Sequence, residues 1–395
     1  MSVISYTLEK CQKCMACIRV CPTEAISMVA QRIVINKEKC INCGLCLDAC
    51  VHQGLLAKGS TLEDLSQYEK TVALVPPAVF GECRTAKEIN QLMHTFKIMG
   101  FDEVVELSEY EGAVYNHIQQ YHQENPGGYL ISSFCPVINK LIEMKYPMLL
   151  SNMIPYELSA EIAAKRIRQQ YPDHKVGIFL LCECISKLPI GKYPYGNMHT
   201  QIDHCVSLVD LFPRIAKIRD EHELVTEVCK EGLANISSEL FVQDQLTSST
   251  IVADSLKKCM LVLDLAEFGQ LKGDHLLWLS NCINGCVGGN LLWGNPFEAA
   301  IHTRNHHQNG KKCSLTLDRE EIIQQTVLFN RASVKSLKER LAEFSKINAQ
   351  LEKLPGYDCG ACGFPSCRVM AEEIVSNRKS LKDCRILASW EEFDE

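Results

Sequence analysis

No apolar run in this 395-residue chain approaches the ~18 residues that a membrane span needs. The first ten residues, Met1 to Lys10, lack the apolar core of a secretory signal. No long basic stretch offers itself to phosphates, which makes nucleic acid a poor partner. Together these absences predict a cytoplasmic, reducing location with no membrane span. Composition is ordinary for a globular protein, with 46% hydrophobic and 23% charged residues and a net charge of −7. The length allows two or three domains. What the chain has in excess is cysteine, 22 in all. So many thiols outside a secretory context point to metal and not to disulfides.

Sixteen of the 22 cysteines fall into spacings that iron–sulfur clusters use. The first set is Cys11, Cys14, Cys17 and Cys21, with Pro22 behind it. It repeats 29 residues later as Cys40, Cys43, Cys46 and Cys50. In C-x2-C-x2-C-x3-C a short loop wraps three thiolates round one 4Fe–4S cube and sends the fourth to another. Cys11, Cys14, Cys17 and Cys50 are therefore expected on one cluster, and Cys40, Cys43, Cys46 and Cys21 on a second. Zinc sites instead use two C-x2-C pairs separated by a longer loop. The second repeat departs from the first at Val51, where the first has Pro22; its ligands are intact.

Residues 1–58 form this small two-cluster ferredoxin-like domain, of α+β type, with short strands at Ile26–Ala30 and Arg32–Ile35. Residues 59–70 are polar and read as a connector. From Lys70 apolar runs alternate with helical patterns. Thr71–Val75, Gly128–Ser132 and Lys175–Leu181 have the length and content of buried strands, and Ala86–Met99 and Glu157–Gln170 read as helices. This alternation predicts an α/β main domain with parallel strands over 70–308. Sites in such folds gather at the carboxyl ends of strands, where Cys135 and Cys184 stand. A long helix over 333–353 carries Val334, Leu337, Leu341, Phe344 and Leu351 as a stripe, suited to a linker docked on its neighbour or to a coiled coil with a partner. It opens the last segment, 330–395.

After Pro355 and Gly356 comes Asp358-Cys359-Gly360-Ala361-Cys362-Gly363-Phe364-Pro365-Ser366-Cys367, then a helical stretch at 368–378 and Cys384. This resembles the small helical four-cysteine 4Fe–4S module of electron-transport and corrinoid-associated proteins. The resemblance implies a further cluster on Cys359, Cys362, Cys367 and Cys384.

Three fragments of the middle domain form a longer-range pattern: Ser132-Ser133-Phe134-Cys135-Pro136, Cys184-Ile185-Ser186-Lys187, and Cys282-Ile283-Asn284-Gly285-Cys286-Val287-Gly288-Gly289. In this order, over about residues 70–305, they resemble the catalytic domain of the iron–iron hydrogenases, as do Pro77-Ala78-Val79 and Asn295-Pro296-Phe297. The N-P-F ending and the following four-cysteine module are similar to the sensory branch. The resemblance implies a two-lobed domain with mostly parallel sheets. It implies a middle 4Fe–4S cluster on Cys135, Cys184, Cys282 and Cys286, with Cys286 also bridging to a two-iron subcluster where one is bound. In that case Lys187 would hold a cyanide of the two-iron part and count as catalytic.

Departures from that family matter more. Phe134 stands where catalytic members carry a proton-passing cysteine. Cys182 and Glu183 stand where the family has methionine and proline, and Ser280 where it commonly has methionine. No glycine-rich segment is visible between Cys205 and Cys259. Glu109 and Glu111 are the nearest candidates for relay carboxylates. The expected function is therefore electron relay through about four 4Fe–4S clusters in an anaerobic redox system. Its expected partners are a ferredoxin-like donor or acceptor, other subunits, or a separate signalling protein. The alternative is a slow hydrogenase or hydrogen or redox sensor with a complete two-iron site. A scaffold for iron–sulfur assembly is a third, weaker option. Cys83, Cys182, Cys205, Cys229, Cys259 and Cys313 lack cluster spacing and read as buried or incidental thiols, Cys182 being the one to watch. His302, His306 and His307 read as a polar surface loop.

Overall fold

The computed structural model describes residues 2–193, 199–217, 226–244, 249–323 and 337–391. Its contacts separate two compact units: the described residues of 1–58 with those of 330–395, and those of 59–329. The sequence treats the two ends of the chain as separate modules, whereas the fold gathers them into one unit.

In that unit β1 (Ile4–Tyr6) pairs with β4 (Leu55–Ala57), and β2 (Ile26–Val29) with β3 (Arg32–Ile35), both antiparallel. The cysteine repeat is a repeat of backbone as well. Lys13, Met15 and Glu24 lie at φ 55°, 62° and 52°. Their counterparts 29 residues on, Asn42, Gly44 and Gln53, lie at 54°, 86° and 52°. Left-handed backbone at non-glycine residues is strained and needs a surrounding reason to persist. Here Lys13, Met15, Asn42 and Gly44 turn the chain between successive cysteines, and Glu24 and Gln53 turn it just after the last cysteine of each repeat. Short helical turns at Ala16–Arg19 and Leu45–Asp48 follow.

The C-terminal segment adds helices Leu337–Leu351, Cys367–Val375 and Arg385–Glu391. Ser366 caps the second by accepting from the Val369 N–H. Phe364, Val369, Met370 and Leu354 make a small core against which Ile347 and Leu351 pack, so the long helix is docked on its own module. Its expected first turn, with Val334, lies outside the described residues. The module rests on the cysteine repeat. The Met28 N–H donates to the Gly363 carbonyl at 2.6 Å, Ser366 Oγ donates to Glu24 at 2.8 Å, and Lys39 pairs with Glu372 at 3.1 Å.

The second unit is α/β with two parallel sheets. One has the order β6 (Glu103–Glu106), β5 (Lys70–Val75), β8 (Val176–Cys182), β9 (His204–Ser207); the other β10 (Thr250–Asp254), β11 (His275–Ser280), β7 (Tyr129–Ile131). All seven residues of β8 are buried, as expected of a strand covered on both faces. The polar stretch 59–70 does more than connect. Ser60 bridges to Val206 and the Tyr68 ring packs edge-on against Phe179, extending the first sheet's surroundings. Residues 296–309 are a helix, not the expected loop. It runs His302 and His306 along one face, where they bond the carbonyls of Gly81 and Cys83, each at 2.8 Å. His306 is buried by that contact. No described helix is long and apolar enough to cross a membrane.

Candidate iron–sulfur centres

In the first unit the cysteines come together in the sets that their spacing suggests. Cys11, Cys14, Cys17 and Cys50 line one pocket with Tyr6, Ile33 and Leu55. Burial pushes the Cys17 thiol up to about 11, helped by Cys50, Cys11 and Cys14. Burial likewise takes Cys43 up to about 12, with Cys21 and Cys40 adding to it. Cys46 is raised by burial and then by Cys43, Cys40 and Cys21. Backbone N–H groups aim at sulfur in both repeats: Ala25 at Cys21 Sγ and Gly54 at Cys50 Sγ, both at 3.2 Å. Cys359, Cys362, Cys367 and Cys384 line another pocket with Phe364 and Met370. Gly363 closes this loop on β2. It sits at φ +90°, and a Cβ there would fall 2.1 Å from the Met28 carbonyl oxygen, so no other residue fits without displacing the strand.

In the second unit, strands from both sheets deliver the middle set. Cys135 follows β7 and caps the helix Pro136–Lys145. Cys184 follows β8 and opens the 3-10 turn Ile185–Lys187. Cys282 and Cys286 follow β11. The loops are tied to one another: Leu291 N–H donates to the Glu183 carbonyl at 2.9 Å and Ile185 N–H to Asn290 Oδ1 at 3.1 Å. Cys282 is pushed up by burial and then by Cys184 and Cys135. Cys184 rises to about 12 through burial and Glu183, against Lys187. Buried thiols facing one another resist ionising unless a cation lies among them. Where the thiols are buried and face one another, such a donor set suits a cationic iron–sulfur core, and thiolate is the ligand such cores take.

Lys187 is buried, with Nζ 2.6 Å from Glu183 Oε1. Burial alone would lower its pKa; Glu183, then Cys286, Cys184 and Glu111, outweigh this and raise it. Glu111 is buried too and accepts from Ser159 Oγ at 2.5 Å and Asn235 Nδ2 at 2.7 Å. Glu109, the other relay candidate, is turned to Lys311 at 2.9 Å instead. Phe134 stacks on the buried Trp278 with ring centroids 4.7 Å apart. Cys182 and Cys205 are buried on neighbouring strands, and Cys182 Sγ donates to the Leu180 carbonyl. Cys259 donates to the Ala253 and Ser280 carbonyls. Sequence reasoning missed Glu183 as the partner of Lys187, although an i,i+4 carboxylate–lysine pair was there to be read.

Comparison with known proteins agrees with the motifs. Residues 69–217 match the family model of the iron-only hydrogenase large subunit, C-terminal domain. Residues 3–51 match a 4Fe-4S dicluster domain and residues 354–386 an Fe-S cluster model. The hydrogenase match includes Cys135, Cys184 and Lys187 and ends before Cys282. No curated protein matches. Among solved structures, two variants of the FeFe-hydrogenase HydA1 from Chlamydomonas reinhardtii align at 15% and 14% identity. Each alignment covers 65% of this chain and 89% or 90% of theirs, with a TM-score of 0.47. A structure concerned with FeFe-hydrogenase oxygen inactivation aligns at 15% identity over 66% of this chain and 89% of its own, TM-score 0.46.

Proposed function

We propose, for a chain that belongs to the iron-only-hydrogenase-like family and carries an N-terminal dicluster module and a C-terminal Fe–S module, that it relays electrons and does not turn hydrogen over rapidly. The residues to hold 4Fe–4S clusters are Cys11, Cys14, Cys17 and Cys50; Cys40, Cys43, Cys46 and Cys21; Cys135, Cys184, Cys282 and Cys286; and Cys359, Cys362, Cys367 and Cys384. Such clusters supply one-electron redox chemistry at potentials tuned by hydrogen bonds to sulfur and by burial. The chain's own contribution is to aim N–H groups at Cys21 and Cys50 and to bury Cys17, Cys43 and Cys46. It also keeps the C-terminal module against the dicluster module through Gly363 and Glu24.

The observation that carries the reading against hydrogen chemistry is the 2.6 Å contact of Lys187 with Glu183. In the family that this chain resembles, that ammonium serves a cyanide of the two-iron part. Here a carboxylate already compensates its charge, and Phe134 offers no exchangeable proton. Redox proteins, such as a ferredoxin-like donor, are the proposed partners. Anaerobic reductive titration of reconstituted protein tests the reading: uptake of about four electrons per chain is expected, one per cube. Uptake of one or none would overturn it.

A second reading, a slow hydrogenase or a hydrogen or redox sensor, is favoured by the burial of Lys187 beside Cys286 and Glu111. Infrared bands of iron-bound carbonyl and cyanide after co-expression with maturation proteins would support it. Their absence removes the two-iron site from consideration.

A further inference from the structure

Two of the cysteines without cluster spacing lie side by side. Cys229 bridges in parallel register to Lys311, with Lys230 N–H donating to the Lys311 carbonyl at 2.9 Å and Lys311 N–H to Val228 at 3.0 Å. Cys313 is two residues beyond Lys311. Both sulfurs lie over Gly112 of the helix Ser108–Glu124. A Cβ at that glycine would be 2.6 Å from Cys229 Sγ and 3.2 Å from Cys313 Sγ. The two sulfurs and a Glu109 carboxylate oxygen are within 4.8 Å of one another. Glu231 touches both cysteines, with Oε2 3.5 Å from Cys229 Sγ and accepting the Cys313 N–H at 2.8 Å.

The surroundings favour sulfur chemistry over a mononuclear metal. Both Glu109 oxygens are taken: Oε1 by Lys311 at 2.9 Å and Ser314 Oγ at 3.2 Å, Oε2 by the N–H groups of Ser314 and Leu315 at 2.9 and 3.1 Å. That leaves two thiols, one fully buried at Cys229 and one half-buried at Cys313, flanked by the exposed Lys312 and Ser314. An accessible thiol backed by a buried one is the arrangement that thiol–disulfide exchange needs.

We propose that Cys313 and Cys229 form a thiol–disulfide redox couple that exchanges with small-molecule disulfides, with Cys313 as the entry thiol, Cys229 as the resolving thiol and Glu231 as the base. In the first step Cys313 Sγ, having released its proton, attacks one sulfur of the small disulfide. The S–S bond breaks, a mixed disulfide forms at Cys313, and one small thiol leaves with a proton. Glu231 then takes the Cys229 proton, and Cys229 Sγ attacks the Cys313 sulfur of the mixed disulfide. The second small thiol leaves with that proton. The pair loses two electrons, which the small disulfide gains as two thiols. The couple stands independently of the cluster assignments.

The test uses full-length, cluster-loaded protein incubated anaerobically with oxidised glutathione, followed by alkylation and tryptic mass mapping. Cleavage at Arg219, Lys230, Lys312 and Arg319 places each cysteine in a peptide with no other cysteine. A cross-linked pair two hydrogens lighter than the separate peptides, reversed by dithiothreitol, is expected. C229S should stop at a glutathione adduct on Cys313, and C313S should leave Cys229 unmodified. E231Q should slow closure of the mixed disulfide on the order of a hundredfold. Both thiols remaining alkylatable, with the cluster absorption intact, would overturn the proposal. So would one equivalent of tightly held zinc that C229S and C313S both lose.

Discussion

The Met28 N–H donates to the Gly363 carbonyl at 2.6 Å, joining β2 of the cysteine repeat to the loop between Cys362 and Cys367. Gly363→Ala puts a methyl group 2.1 Å from the Met28 carbonyl oxygen in a left-handed backbone. A loss of about 2–3 kcal/mol from this unit is expected, combining backbone strain with the displaced strand contact. Hydrogen exchange at Met28 checks it. Exchange as slow as in the parent would show that the two segments do not depend on this contact.

Glu183 and Lys187 are each buried, at 0% and 8% exposure. Removing one partner strands a charge away from water, which destabilises by about 3–5 kcal/mol, whereas replacing both by apolar residues of similar size is often near neutral. The expected order in chemical denaturation is therefore that E183L and K187M are each much less stable than the E183L/K187M double variant. Additive losses would mean that the two groups are not coupled.

Glu82 ends the 3-10 segment Pro77–Glu82. Burial raises its carboxyl from 4.5 to about 7, against a hydrogen bond from Gly294. The folded chain therefore holds a proton that the unfolded chain has released between those values, and stability falls as pH rises through that window. Glu82→Gln should remove that slope and gain on the order of 1–2 kcal/mol over the parent between pH 5 and pH 8, allowing for its partial exposure. Denaturant midpoints at the two pH values read the effect; parallel behaviour of parent and variant would contradict it.

The local part of this molecule is legible in its sequence. Two cysteine runs offset by 29 residues imply two like loops, and the backbone repeats their positive φ values at the same offset. Short apolar runs at 71–75 and 175–181 mark strands because a covered parallel strand has no polar face to show. What was not legible depends on contacts remote in the chain. Nothing local to Gly363 announces that Met28 will lie against it. The histidines at 302 and 306 look polar until the carbonyls of Gly81 and Cys83 are placed beside them. Cys229 and Cys313 share no motif and meet only because Gly112 leaves them room.

The most direct measurement of the central claim is iron and acid-labile sulfide per chain in anaerobically reconstituted protein, parent beside C43A, C282A and C362A. The expected result is about sixteen irons in the parent, falling by roughly one to four in each variant as that variant's cluster is degraded or lost. Only a few irons in the parent, or zinc on these cysteines, would contradict the account.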